Sequence, residues 1–416
     1  MALSELLVTN HPELGIIDEP IAPDDVGLCL GKSSPLREKF NKLIRQYRAD
    51  GMLEELRDRW MGADEGKKVL PKQDWDAPNG TLEVVGSTFE PMCYVSGDSE
   101  VKGYEVELVY NIARDLGYRV SISTAPFSGV LAAVESGKAD VALGNISITD
   151  ERAERVDFTE PTYEGGVVAV VRKRAGSGSA KPTLIDSLCT SFYKTFVQES
   201  RWKLIAGGLG VTIIIAVCSG ALGCLLGYLT VLARHIGTRW VVKVVDVYQA
   251  IMGGVPIVVV LMALYYVIFG SIDIKGEFVA VLAFALSFGS TAGTTMWTAV
   301  KGIDDGQRES GLALGYTPRQ VFHKIIFPQA TVQFMPQLIG QAVSLLKETA
   351  VVGYIAVTDL TRASDLIRAR TMDAFFPIVV TAIIYCVCCR VLAAVLSALA
   401  ARMNPENRPF ALEEGK

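Results

Sequence analysis

The back half of the chain is built from long apolar runs, and nothing in the sequence constrains its fold more. Four runs are long enough to cross a bilayer's hydrocarbon core, which takes about 20 residues. They are Leu204–Ala233, Val241–Phe269, Phe278–Val300 and Phe375–Ala401. A fifth, Pro336–Val357, contains Lys347 and Glu348 but is otherwise apolar, so five spans are expected over 204–405. In lipid a spanning segment must satisfy its backbone internally, so apolar runs of this length read as helices. Before Leu204 charged residues are frequent and evenly mixed, which reads as a domain in water. The mean hydropathy of +0.32 averages over that split.

Cations in the short loops set the orientation. Arg234, Arg239 and Lys243 follow the first run, Lys301, Arg308, Arg319 and Lys324 follow the third, and Arg402 and Arg408 follow the last. The second loop has only Lys275, beside Asp273 and Glu277. With five spans, the front domain is expected outside the cell membrane and the tail 406–416 in the cytoplasm. Arg362, Arg368 and Arg370 in the last outer loop run against the rule, with Asp359, Asp365 and Asp373 offsetting their charge. Residues 175–203 join the two regions. Ala175–Lys181 is a flexible linker by composition. Thr183–Lys203 places Leu184, Leu188, Phe192 and Phe196 at helical spacing, near Lys194, Arg201, Trp202 and Lys203. This suits an amphipathic helix on the outer membrane surface, or one packed on the spans. The opening Met1–Gly15 has neither the basic start nor the apolar core of a signal peptide.

Several function classes are disfavoured by composition. A net charge of -5 leaves no footprint for nucleic acid. Eight cysteines are scattered, with Cys386, Cys388 and Cys389 inside an apolar run. With only His11, His235 and His323, no Cys/His metal spacing appears, and no metal site is expected. No Ser/His/Asp, metal or phosphate-loop constellation supports an enzyme. The Gly-x-x-x-x-Gly-Lys-Ser/Thr element that cradles ATP phosphates is missing.

Between the third and fourth runs stands Gln307-Arg308-Glu309-Ser310-Gly311-Leu312-Ala313-Leu314-Gly315, followed by Ile325-Ile326-Phe327-Pro328-Gln329-Ala330. Small residues let a helix lie close to a partner surface. Gly315 can take positive φ and end that helix, and Thr317-Pro318 restarts the chain with proline in the first turn. The stretch resembles the EAA loop of ABC-importer permeases: Glu-Ala-Ala, a Gly six residues after the Glu, then Ile and Leu-Pro. Glu309, Gly315, Ile325 and Pro328 fall at the family spacing, Ser310-Gly311 replaces Ala-Ala, and Phe327 replaces Leu. The resemblance implies that a cytoplasmic helix carrying Glu309, Gly311, Gly315, Ile325 and Pro328 docks in a groove of an ATPase subunit. It implies an ATPase dimer as partner, binding ATP and Mg itself, with no cofactor in this chain. It also implies a second permease copy or a homologue. Gly253-Gly254-Val255-Pro256 looks like the Arg-Gly-Thr-Pro element of amino-acid permeases, without the Arg and with Val for Thr. Leu345-Leu346-Lys347-Glu348-Thr349-Ala350 looks like their Leu-Lys-Asp-Thr-Ser-Leu. Intramembrane Lys347 and Glu348 either line the translocation path or form a helix-end pair at the interface.

In the front domain, residues 80–174 alternate short strands with helices, which suggests a parallel-sheet α/β lobe. The words Gly103-Tyr104-Glu105-Val106-Glu107-Leu108, Ala133-Val134-Glu135-Ser136-Gly137-Lys138-Ala139-Asp140, Ile146-Ser147-Ile148-Thr149-Asp150-Glu151-Arg152 and Val156-Asp157-Phe158-Thr159-Glu160-Pro161 resemble family 3 solute-binding proteins, the amino-acid-binding class. By that resemblance Arg152 holds the ligand carboxylate and Ser147 binds the same ligand. Phe89 and Phe127 pack on its side chain, and Gly144 and Asn145 offer backbone groups. A guanidinium suits that task because it grips a carboxylate with two parallel hydrogen bonds. Asp25–Gly62 looks like the family's closing segment, yet it precedes the opening one. Lobe one, over 1–174 with its pieces at 14–62 and 80–174, is thus expected to be circularly permuted, and lobe two nearly absent. The second lobe is expected upstream of Met1, which the missing signal peptide favours, or on another chain. The fold expected is multidomain: an incomplete α/β periplasmic-binding-protein-like lobe plus an all-α membrane domain of five helices with the type I ABC importer permease fold. A glutamate-receptor-type channel shares the binding fold but lacks an EAA loop, so Glu309 to Pro328 decide for an amino-acid importer.

Overall fold

The computed structural model describes residues 14–17, 21–62, 64–97, 99–172, 184–270, 272, 274–371, 373 and 375–403. The opening segment to residue 13, the linker Ala175–Lys181, Asp273 and the tail 406–416 with Arg408 lie outside them. The chain packs into two compact units: Met1–Leu209 with Met262–Gly276 and Val352–Val380, and Gly210–Leu261 with Glu277–Val351 and Thr381–Lys416.

The first unit opens with β1 (Leu14–Ile16), β2 (Ala22–Val26), β3 (Cys29–Leu30), α1 (Leu36–Ala49) and α2 (Met52–Met61). It continues with β4 (Thr81–Ser87), β5 (Tyr94–Val95), β6 (Val101–Lys102), α3 (Tyr104–Asp115), β7 (Arg119–Ala125), α4 (Phe127–Glu135) and β8 (Val141–Leu143). Then follow α5 (Asp150–Ala153), β9 (Asp157–Phe158), β10 (Tyr163–Val167), β11 (Val170–Arg172) and α6 (Leu184–Phe192). The main sheet runs β7-β4-β8-β3-β9. Its middle is parallel, with Thr81 to Ser87 in register with Arg119 to Ala125, and β8 parallel to β4. The sheet is mixed rather than purely parallel, because β3 enters from the opening segment and pairs antiparallel with β8 and β9. Side chains alternate across it as the pleat requires. Leu82, Val84, Val141 and Leu143 face a core with Phe40, Ile44, Leu56, Trp60 and Ile112 from α1 to α3. Val85 and Ala142 face the other side, with Val130 and Val134 of α4. The segment 25–62 therefore shares one core with 80–172. Two further ribbons pair β2 with β10 and β1 with β11, both antiparallel.

Two later stretches also pack into this unit. In α14 (Leu360–Thr371) the apolar Leu360, Ala363, Leu366 and Ile367 are buried. Tyr266, in the stretch 262–276, donates its hydroxyl to the Tyr354 carbonyl at 2.9 Å and packs beside the α4 cluster. In α6 the apolar Ile185, Leu188 and Phe192 are exposed, as are the polar Asp186, Ser187 and Thr190.

The second unit is helical, with α7 (Trp202–Ile236) entering it at Gly210, then α8 (Arg239–Gly254), α9 (Ile257–Met262), α10 (Gly276–Lys301), α11 (Asp305–Ala313), α12 (Pro318–Val321), α13 (Phe327–Glu348) and α15 (Phe376–Met403). Four helices among the described residues are long and apolar enough to cross a membrane, or five if the bent pair Arg239–Gly254 and Ile257–Ile268 is one span. That pair turns through 109°. Pro256 lacks an N–H and forces the preceding Val255 into extended backbone, at φ -107 and ψ 128. The run Val241–Phe269 is thus two helices, not one. The fourth span begins earlier than Pro336: α13 starts at Phe327 and carries Pro336 inside it. A small-residue seam joins α7 to α10, where a Cβ on Gly223 would lie 2.7 Å from Phe288 Cδ1 and one on Gly227 would lie 2.9 Å from Gly293 N.

Candidate functional site

Two places carry the expected chemistry, one in each unit. The first is the turn after α10. Asp304 caps α11 by accepting from Gly306 N at 2.7 Å. The helix closes on Gly315 at φ 84, whose N–H bonds to Leu312 O while Tyr316 N reaches Gly311 O. Thr317 and Gln320 then form a reciprocal capping box, with Pro318 in the first turn of α12. Gly311 is buried and closely fitted: a Cβ there would stand 2.8 Å from the Ile325 side chain and 2.9 Å from that of Val321, so those side chains would have to shift. Gly311 and Ile325 thus form the inner face of the loop, Pro328 lies in the first turn of α13, and Glu309 is exposed. Beyond the motif, Leu312, Leu314 and Tyr316 are also exposed, with Leu314 at 77%. An apolar tip standing in water marks a contact surface, and the sequence reading gave these residues no role of their own.

Lys347 and Glu348 are the last two residues of α13, and both are exposed. Adjacent in sequence, they point about 100° apart around the helix, and no ion pair joins them among the described residues.

The second place lies on the first unit's sheet, at the carboxyl end of β8. Thr149 caps α5 and accepts from Arg152 N. The Arg152 guanidinium sits 5.0 Å from the Phe127 ring centroid and donates from Nη1 to the Ser147 carbonyl at 2.9 Å. Among the described residues, no acidic side chain lies within the 4.0 Å of an ion pair with Arg152. Phe127, Ser147 and Arg152 are therefore together, and a half-buried cation stands beside an exposed aromatic ring. Gly144 and Asn145 adjoin them, but their amides are occupied: both donate to Glu105 Oε2, at 2.6 and 3.0 Å. Their N–H groups are not free for a ligand, contrary to the simplest reading of the motif. Phe89 packs on the larger core near Tyr94 and pairs its backbone with Cys93. Sequence reasoning missed Glu105 as a partner of this loop. The available signal was an acid between Tyr104 and Val106 in a largely apolar helical run; the structure buries residues 104–113 throughout, and a buried carboxylate demands hydrogen bonds.

Comparison with known proteins adds the relatives. The family model of bacterial extracellular solute-binding proteins, family 3, matches residues 84–365. The L-cystine transport system permease protein TcyB of Bacillus subtilis (strain 168) is 30% identical over 221 residues, which cover 52% of this chain and 94% of that protein. The arginine ABC transporter permease protein ArtQ of Haemophilus influenzae (strain ATCC 51907 / DSM 11121 / KW20 / Rd) is 34% identical over 186 residues, covering 42% of this chain and 82% of that protein. A solved structure described as the crystal structure of an amino acid ABC transporter with histidines shares 27% identity, covers 48% of this chain and 94% of its own, and superposes with a TM-score of 0.45.

Proposed function

This chain belongs to the permeases of amino-acid ABC transporters and carries a family 3 extracellular solute-binding domain, and on that footing we propose how its two halves share one task. It is the transport subunit of an importer. The extracytoplasmic domain captures an α-amino acid, and the apolar helices pass it inward. Arg152 grips the carboxylate, the Ser147 hydroxyl binds the same ligand, Phe127 and Phe89 contact the side chain, and the carbonyls of Gly144 and Asn145 meet the ammonium group. ATP and Mg are bound by a separate ATPase dimer, and the permease works as a pair with a second copy or a homologue. The C-terminus faces the cytoplasm, as does the loop after α10.

The observation that supports this most is the exposed apolar tip on a rigid turn. Gly311 seats α11 against Val321 and Ile325, and Leu312 and Leu314 stand free to enter a partner groove. The test is ATP-driven uptake of labelled amino acids into proteoliposomes holding this chain and an ABC ATPase. Gly311→Val should leave membrane insertion intact and abolish uptake, because its side chain must displace α11 from Ile325. Unchanged uptake by that variant would contradict the coupling assignment. Lys347 and Glu348 are assigned to the translocation path because charge at a span is costly unless it meets water or a partner. Normal uptake by both Lys347→Ala and Glu348→Ala would remove them from it.

A further inference from the structure

Glu105 is fully buried in the first turn of α3, 40 residues in sequence from the loop it touches. Its Oε2 accepts two backbone amides, from Gly144 and Asn145, while its Oε1 has no hydrogen-bond partner among the described residues. The loop it holds is tightly fitted. Gly144 has φ 118, and a Cβ there would lie 2.1 Å from the Ser87 carbonyl oxygen, so only glycine can take that path. Asn145 follows at φ 60. Two residues later Ser147 pairs with Val26 in an isolated bridge, and its carbonyl receives Arg152. Arg152 is thus aimed by a carbonyl whose position depends on the turn at Gly144 and Asn145.

We propose that Glu105 is the positioning residue of the amino-acid site: its carboxylate fixes the Gly144–Ser147 turn and thereby aims the Arg152 guanidinium. This rests on the receptor reading above. Glu105 touches no ligand in this account and acts only through the turn. Burial raises its pKa to about 7 against the two amides that favour its charged form. The titratable groups that feel its charge are Cys29 on β3, Cys93 before β5 and the adjacent Tyr104. Burial pushes all three far above neutrality, so Glu105 is the group of this cluster that changes charge between pH 6 and 8.

The experiment uses the purified full chain. Calorimetric titration with the twenty common amino acids runs from pH 5.5 to 8.5, alongside hydrogen exchange of the 144–147 amides. Glu105→Ala should weaken binding at least tenfold and strip protection from those amides. Glu105→Gln, whose neutral amide oxygen accepts the two N–H groups more weakly than a carboxylate, should keep only part of the protection and bind with an affinity that no longer changes between pH 6 and 8. Wild-type affinity should rise with pH over that range, as the carboxylate forms. Glu105→Ala with wild-type affinity and protection would overturn the proposal. If that variant fails to fold, an unaltered pH profile in Glu105→Gln would overturn it. Absence of binding by the wild-type chain would instead contradict the receptor reading. Amide exchange then judges Glu105 alone: protection lost in Glu105→Ala sustains its hold on the turn, and protection kept overturns it.

Discussion

At Arg152 the guanidinium spends one Nη on the Ser147 carbonyl and stacks on Phe127, with no acid in ion-pairing range among the described residues. Left there by the fold, the cation can meet a carboxylate from outside. Arg152→Lys keeps the charge and loses the planar fork, so it should weaken amino-acid binding about tenfold, the equivalent of about 1.4 kcal/mol, read by calorimetry. Glu105 makes a separate statement about stability. Its pKa rises in the fold from 4.5 to about 7, chiefly through burial, so the folded chain holds its proton more tightly than the unfolded chain. Its contribution is complete below about pH 4.5 and is lost as pH rises through about 7, by roughly 3 kcal/mol across the window. Thermal melts from pH 5 to 8 should show this slope in the wild type and not in Glu105→Gln. The resemblance placed Arg152, Ser147 and Phe127 in one site: Ser147 and Arg152 share a recognisable word, whereas Phe127 lies in none. It did not show that the Gly144 and Asn145 amides are occupied, because their acceptor belongs to another word and meets them only through the sheet.

Among the elements, the loop after α10 was the most legible, since its form follows from local rules: an aspartate cap, a glycine at positive φ and a Thr-Pro restart. Gly315→Ala meets open space, so only backbone strain acts. The cost should be about 1 kcal/mol, with uptake reduced rather than lost. Gly311→Val, which collides with Val321 and Ile325, should abolish it. The bent pair at Val255-Pro256 was not legible as a bend. Hydropathy sums apolar residues along a run and carries no direction, so Val241–Phe269 reads as one span although Pro256 turns it by 109°. The same summation started the fourth span at Pro336, whereas the helix passes through that proline from Phe327. Interior prolines are tolerated in membrane helices because neighbours satisfy the freed backbone groups.

For the molecule as a whole, the soluble and apolar halves were plain from composition, but the gathering of distant segments into the first unit was not. There α14 presents Arg370, 8% exposed, to Glu90 at 3.7 Å, Glu199 at 2.8 Å and the Tyr94 ring at 4.3 Å. No periodic pattern announces contacts between residues so far apart. Arg370→Ala leaves Glu90 buried without its cation and should destabilise this unit by about 3–5 kcal/mol. Tyr266→Phe, losing the hydroxyl that donates to Tyr354 O at 2.9 Å and lies 3.4 Å from Gly129 O, should cost about 1 kcal/mol. Denaturant melts of the full chain would separate the two. The central claim is that one chain both receives and transports an amino acid, and its receiving half is tested by titrating the purified full chain with the twenty common amino acids, with Arg152→Ala beside it. Saturable binding of at least one amino acid, lost in Arg152→Ala, is the predicted result. Binding of none, or binding of equal strength in Arg152→Ala, would contradict the account.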